Sequence, residues 1–162
     1  IVWDSDSKNE FHECLSKAKI VQGVFSDFQL IESLLHTKEE GYFLFDSHIK
    51  RCVNSCRYFG FKIDENSLVQ FLIKLKETLP DYPVKVRCVV HKNGHIESSL
   101  TPVISIEEPV LVSIARSPVN STNIYLYHKT TRRQVFEEAL RSSSGGQDVI
   151  FWNENGYLTE TT

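Results

Sequence analysis

The 162-residue sequence contains no methionine. Ile1 is therefore not expected to be a native start, and we expect the chain to be an internal piece of something longer. No apolar run approaches the ~20 residues that cross a bilayer, and no secretory signal pattern is present. The net charge is −3 with both signs mixed along the chain. Without a lysine/arginine block or a basic aromatic stripe, nucleic-acid binding is not expected. The four cysteines, Cys14, Cys52, Cys56 and Cys88, form no Cys-x-x-Cys pair and lack the spacing of a four-ligand zinc site. They read as reduced, half-buried thiols of a cytoplasmic protein. The Ser142–Gly146 stretch lacks the Gly-x-x-x-x-Gly-Lys-Ser/Thr pattern and is not a phosphate loop.

What is present is enough for one ordinary core. The chain is 41% hydrophobic, too little for two large domains at this length. Residues 9–19 read as a helix end, and 20–25, 29–36 and 42–45 as strands. The last two form a hairpin around Thr37–Gly41. A helix is expected from near Ser47, capped by Asp46 or Ser47, with Ile49, Val53, Cys56 and Phe59 at helical spacing and Gly60 after its end. A second follows Asp64 with a stripe of Leu68, Phe71, Leu72, Leu75 and Leu79, and Pro80 ends it. Residues 84–91 and 95–103 flank Asn93-Gly94, the strongest short hairpin signal. Strands at 110–115 and 123–127, a helix over 133–141 and a last hairpin at Asn155-Gly156 complete the reading. The mixed order with antiparallel hairpins indicates an α+β fold.

Lys129 follows the expected strand 123–127 and precedes the expected helix, which would place an amine at the lip of a cleft. Such an amine can join a carbonyl cofactor; a solvated loop lysine is the alternative reading. His91 and His95 superficially resemble a metal pair. A two-residue Asn-Gly turn would put Lys92 opposite His95 and His91 opposite Ile96, so the two rings would face opposite ways. No metal site is expected.

The run His128-Lys-Thr-Thr-Arg132 and the strand Gly156-Tyr-Leu-Thr-Glu160, with Phe45-Asp-Ser-His48-Ile-Lys-Arg51 upstream, resemble the fold type IV family of pyridoxal-phosphate enzymes. Within it the pattern is most similar to 4-amino-4-deoxychorismate lyase, from about Val21 to Thr162. The resemblance implies pyridoxal 5'-phosphate as cofactor, with Lys129 as Schiff-base lysine and proton carrier. Glu160 would face the pyridine nitrogen, and Arg51 would bind the phosphate with its planar, bidentate donor set. His48, on the same helix face as Arg51, is implied as a neighbour of the site. So are Thr130 and Arg132, with loop structure as their other reading. Phe136 stands where this group often has tyrosine, which removes a hydroxyl from the cofactor side. Glu32-Ser33 lies where relatives border the substrate pocket and reads more simply as strand packing.

Residues 1–18 resemble the closing segment of aminodeoxychorismate synthase component I, with Ser7 at the usual proline. Glu13 and Lys17 match a magnesium-holding glutamate and a substrate-contacting lysine there. The rest of that site is missing, so no working synthase site is assigned. Together the resemblances imply the junction of a bifunctional synthase–lyase. Residues 1–20 would be the synthase remnant, 21–116 a small α+β domain, 117–122 a linker, and 123–162 the start of a large cofactor-binding domain. The implied activity releases 4-aminobenzoate and pyruvate from 4-amino-4-deoxychorismate in folate biosynthesis. A homodimer is implied, with a glutamine amidotransferase subunit serving the longer protein. The alternatives are a branched-chain or D-amino-acid type aminotransferase on the same fold, and a folded inactive fragment that binds cofactor weakly or not at all.

Overall fold

The computed structural model describes residues 28–105, 109–143 and 147–162. The expected helix end at 9–19 and strand at 20–25 lie outside them. The element order is β1 (Leu30–Thr37), β2 (Gly41–Tyr42), α1 (Phe45–Phe59), α2 (Glu65–Lys76), β3 (Val84–Val90), β4 (Ile96–Pro102) and β5 (Val112–Ile114). A 3₁₀ turn (Ile124–Leu126), α3 (Gln134–Ser142), β6 (Asp148–Trp152) and β7 (Leu158–Thr161) follow. The α+β class read from the sequence is the architecture found.

The first sheet is antiparallel, in the order β2-β1-β3-β4. Alternation sets its buried face. Val84, Val86, Cys88 and Val90 of β3 point inward with Leu30 and Leu34 of β1, as a period of two requires. Against that face pack Ile49, Cys52, Val53, Cys56 and Phe59 of α1 and Leu68 and Leu72 of α2. The thiols of Cys52, Cys56 and Cys88 are unpaired and buried; burial pushes Cys88 up to about 12, which leaves it an inert packing residue.

Helix α1 starts earlier than its polar signals suggest. The cap position is Leu44, in left-handed conformation (φ 49) and without a side-chain cap bond. Neither Asp46 nor Ser47 caps the helix. Phe45 is already helical and stacks on Tyr42 at 5.6 Å, so packing against the core takes the turn that residues 43–45 would have spent as strand. Asp64 caps α2 as expected, accepting from the Ser67 N–H at 2.7 Å.

The β3–β4 connection also differs. Val90 pairs with Ile96, and the His91 N–H donates to the His95 carbonyl at 2.8 Å. The loop therefore has three residues, Lys92 to Gly94, and the register slips by one. His91 and His95 now lie together, ring centres 5.5 Å apart, with their Nε2 atoms 3.0 Å and 3.8 Å from one Glu97 oxygen. Among the described residues no three His, Cys, Asp or Glu side chains form a metal-holding group. No helix among them is long and apolar enough to cross a membrane.

The second sheet has the order β5-β6-β7. β5, expected to close the first unit, instead runs parallel to β6. The stretch expected as a linker is anchored too: Val119 is buried and bridges Asn153. A separate small core of Ala115, Val119, Phe136, Val149 and Phe151 sits between α3 and β6.

The tight β3–β4 loop is the most demanding backbone position. Gly94 has φ 92, and a Cβ there would lie 2.2 Å from the Lys62 carbonyl oxygen. Gly60 has φ 68 with open space around it. Gly94→Ala is expected to cost roughly 2–4 kcal/mol and Gly60→Ala about 1 kcal/mol, read as midpoint shifts in urea unfolding. Equal losses would contradict the close approach.

Candidate active site

Segment 129–131 is stitched onto the start of β1. The Ile31 N–H donates to the Lys129 carbonyl at 2.8 Å, and the Thr131 N–H to the Gln29 carbonyl at 2.9 Å. The Gln29 N–H donates back to Thr131 Oγ1 at 2.9 Å, and Leu30 bridges the buried Thr130. Residues 123–127 are not the strand the sequence suggested. Asn123 accepts from the Tyr125 N–H at 3.1 Å and starts a 3₁₀ turn. That turn inserts Tyr125 edge-on against Phe28, 5.3 Å between ring centres. Lys129 is thus presented by a short extended segment paired to β1, not by the end of its own strand.

A cavity of about 420 Å³ opens beside this segment. It is lined by Arg51, Lys129, Arg132 and Arg133, and by Phe136 and Glu160 across from them. Three distant parts of the chain therefore meet, α1, the 129–133 segment and β7. Of the residues the sequence named, Lys129, Arg51, Glu160, Thr130 and Arg132 line the same cavity, and His48 does not.

Lys129 is half-buried, and its pKa is lowered. Burial is the main cause, followed by the Arg51 cation, with Glu32 opposing and Arg133 and Arg87 assisting. Desolvation favours the uncharged amine, so more of Lys129 is a free nucleophile at neutral pH than of a surface lysine. Glu160 moves the other way: burial raises its pKa and Arg133 partly offsets that.

Behind the cavity lies a buried carboxylate that sequence reading undervalued. Glu32 is 3% exposed and sits on the same face of β1 as Leu30 and Leu34. Arg51 donates to it through Nε at 2.8 Å and through Nη2 at 2.5 Å. His48 Nδ1 lies 2.8 Å from Oε2. A charge on a strand's apolar face must be paired, and His48 and Arg51, one helical turn apart, are the pair. This was the available signal: a carboxylate in an otherwise apolar alternation, facing a His-x-x-Arg helix.

Ser55, a further turn along α1, was also missed. Its hydroxyl donates to the Arg51 carbonyl at 3.0 Å, so it accepts from His128 Nδ1 at 2.9 Å. His128 therefore carries its proton on Nδ1. Its pKa is lowered by burial, so the ring is neutral at pH 7. Arg133, which lies over the Phe136 ring at 4.7 Å and influences both Lys129 and Glu160, was likewise not foreseen. Phe136 is buried edge-on against Phe151, 5.2 Å between centres, a packing role that needs no hydroxyl.

A family model described as amino-transferase class IV matches residues 29–162. A Schizosaccharomyces pombe protein named for aminodeoxychorismate lyase is 28% identical over 140 residues, which are 82% of this chain and 59% of that protein. The structure of a Mesorhizobium loti protein named for amino-acid aminotransferase matches with TM-score 0.74 at 27% identity, covering 83% of this chain and 67% of that one. 4-Amino-4-deoxychorismate lyase from Pseudomonas aeruginosa matches with TM-score 0.63 at 16% identity, covering 82% and 56%, a likeness of fold. The chain thus spans 59% of the length of the curated relative it matches. With the family model covering the β1–β7 frame and every wall of the cavity, this chain belongs to the class IV amino-transferase family.

Proposed function

We propose that this chain carries the cofactor-anchoring part of a pyridoxal-phosphate-dependent 4-amino-4-deoxychorismate lyase. The observation that carries the reading is the meeting of Lys129, Glu160 and Arg51 around one cavity, with Lys129 shifted toward its neutral form. Lyase chemistry is favoured over amino transfer by the His128–Arg132 run and by the fission yeast relative.

The donor set fits the cofactor. A half-buried, partly neutral amine suits its aldehyde, a half-buried carboxylate suits a ring nitrogen, and a guanidinium held on a carboxylate suits a phosphate. When bound, pyridoxal phosphate supplies an electron-withdrawing ring that makes a substrate Cα–H bond acidic. Lys129 Nζ would hold the cofactor covalently until substrate takes its place. Then it would accept the Cα proton and return it elsewhere, serving as general base and acid. Glu160 would share its proton with the ring nitrogen, a role its raised pKa supports because the proton is retained at higher pH. Glu32 would hold Arg51 in one rotamer, so little side-chain entropy is lost when the phosphate arrives. The balanced outcome is 4-aminobenzoate and pyruvate from one substrate molecule, driven by aromatisation.

As parts of the same reading, the longer protein is a cytoplasmic homodimer whose residues 1–20, outside the described structure, continue from a synthase domain served by an amidotransferase subunit.

In the longer protein loaded with pyridoxal phosphate, 4-amino-4-deoxychorismate should yield equal amounts of pyruvate and 4-aminobenzoate. Lys129→Ala should lower the rate by at least about 10³-fold. Steady amino transfer to 2-oxo acids without pyruvate release would instead favour the aminotransferase reading.

The pH dependence follows from Lys129. Between its lowered folded pKa and the ordinary lysine value, the unfolded chain holds more of this proton, so this group adds stability as pH rises through that window. Competitive acylation should therefore find Lys129 half-labelled at lower pH than the other lysines. Arg51→Gln, which removes a nearby cation, should move that midpoint upward. A midpoint matching the surface lysines would contradict the burial of the amine.

A further inference from the structure

The cavity holds more guanidinium than its carboxylates neutralise. Arg51 is paired with Glu32, and Arg133 acts on Glu160 and Lys129 through its charge. Arg132 has neither relation: among the described residues no carboxylate forms a salt bridge with it. Aromatic contacts hold Arg132 instead. Its guanidinium lies over Tyr125 at 4.7 Å and near Phe28 at 5.8 Å, two rings of the main core cluster. Its N–H donates to Thr130 Oγ1 at 3.2 Å, and the flanking Thr130 and Thr131 are stitched to β1. Stacking on an aromatic face leaves the in-plane N–H donors available, in a fork that matches a carboxylate.

A pre-oriented, uncompensated arginine on a cavity wall is a receptor for an anion. We propose that Arg132 is a specificity-determining residue that binds a carboxylate of the substrate, so that amines lacking a carboxylate are rejected. This rests on the lyase reading, in which the phosphate of the cofactor belongs to Arg51. Arg132 then takes a ligand carboxylate through its two-pronged donor edge. No bond is made or broken at Arg132; it selects and orients.

The test uses 4-aminobenzoate and its neutral isostere 4-aminobenzamide as probes, titrated calorimetrically into the cofactor-loaded longer protein. Wild type should bind the acid about 10-fold or more tightly than the amide, the scale of one charge-assisted bidentate contact. Arg132→Gln should erase that preference. Arg132→Lys, which keeps charge but loses the fork, should retain part of it and guard against a folding artefact. Affinity for pyridoxal phosphate should change less than about 3-fold in either variant, and borohydride labelling of Lys129 should persist. An undiminished preference for the acid in Arg132→Gln, or no preference in wild type, overturns the assignment while labelled Lys129 leaves the lyase reading standing. A large loss of cofactor affinity in Arg132→Gln also overturns it, by giving the phosphate to Arg132. Absence of label at Lys129 in wild type would count against the lyase reading itself.

Discussion

The backbone hydrogen bonds between residues 29–31 and 129–131 are what the site depends on. They tie a segment one hundred residues downstream to the first strand of the main sheet. Without them Lys129 is a loop lysine. With them, its Cα is fixed by the rigid β1–β3 pairing, and its side chain leans into the cavity that α1 and β7 close. Sites held on strands are more exact than sites held on loops, and here the loop borrows a strand's rigidity through the Ile31–Lys129, Gln29–Thr131 and Leu30–Thr130 contacts.

Charge organises the next layer. Glu32 is buried where an aliphatic side chain would serve the core better, and it is tolerated because Arg51 and His48 surround it. Burying a paired charge rarely adds stability compared with an apolar group, so its value lies elsewhere. The carboxylate fixes the Arg51 guanidinium and tempers the depression that Arg51 imposes on Lys129. Across the cavity, Arg133 performs the matching task for Glu160. The amine and the acid are thus tuned in opposite directions, the condition for one group to carry a proton while the other keeps one.

Much of this was legible in the chain, and the exceptions have physical causes. Alternation announced β3, the leucine stripe announced α2, and the Asn-Gly pair announced β7. Lys129, Arg51 and Glu160, far apart in the chain, line one cavity. Local rules failed where a long-range contact outweighed them. Phe45 joined α1 because it could stack on Tyr42, leaving Leu44 in a left-handed cap and Asp46 and Ser47 inside the helix. Residues 124–126 formed a 3₁₀ turn because Tyr125 reaches Phe28, although Ile-Tyr-Leu-Tyr reads as strand. The parallel pairing of β5 with β6 spans a helix and more than thirty residues, and periodicity carries no record of such a partner. The loop between β3 and β4 took three residues in place of two, which turned His91 and His95 toward each other.

The most direct test of the account is reductive trapping. The chain is incubated with pyridoxal phosphate, reduced with borohydride and digested, and the phosphopyridoxyl group is located by mass. A cavity that keeps Lys129 partly neutral beside Arg51 should direct the label to Lys129 over the surface lysines, and Arg51→Gln should weaken that selectivity. Label spread evenly over the lysines, with none favoured at Lys129, would mean that the cavity forms no cofactor site and would contradict the account.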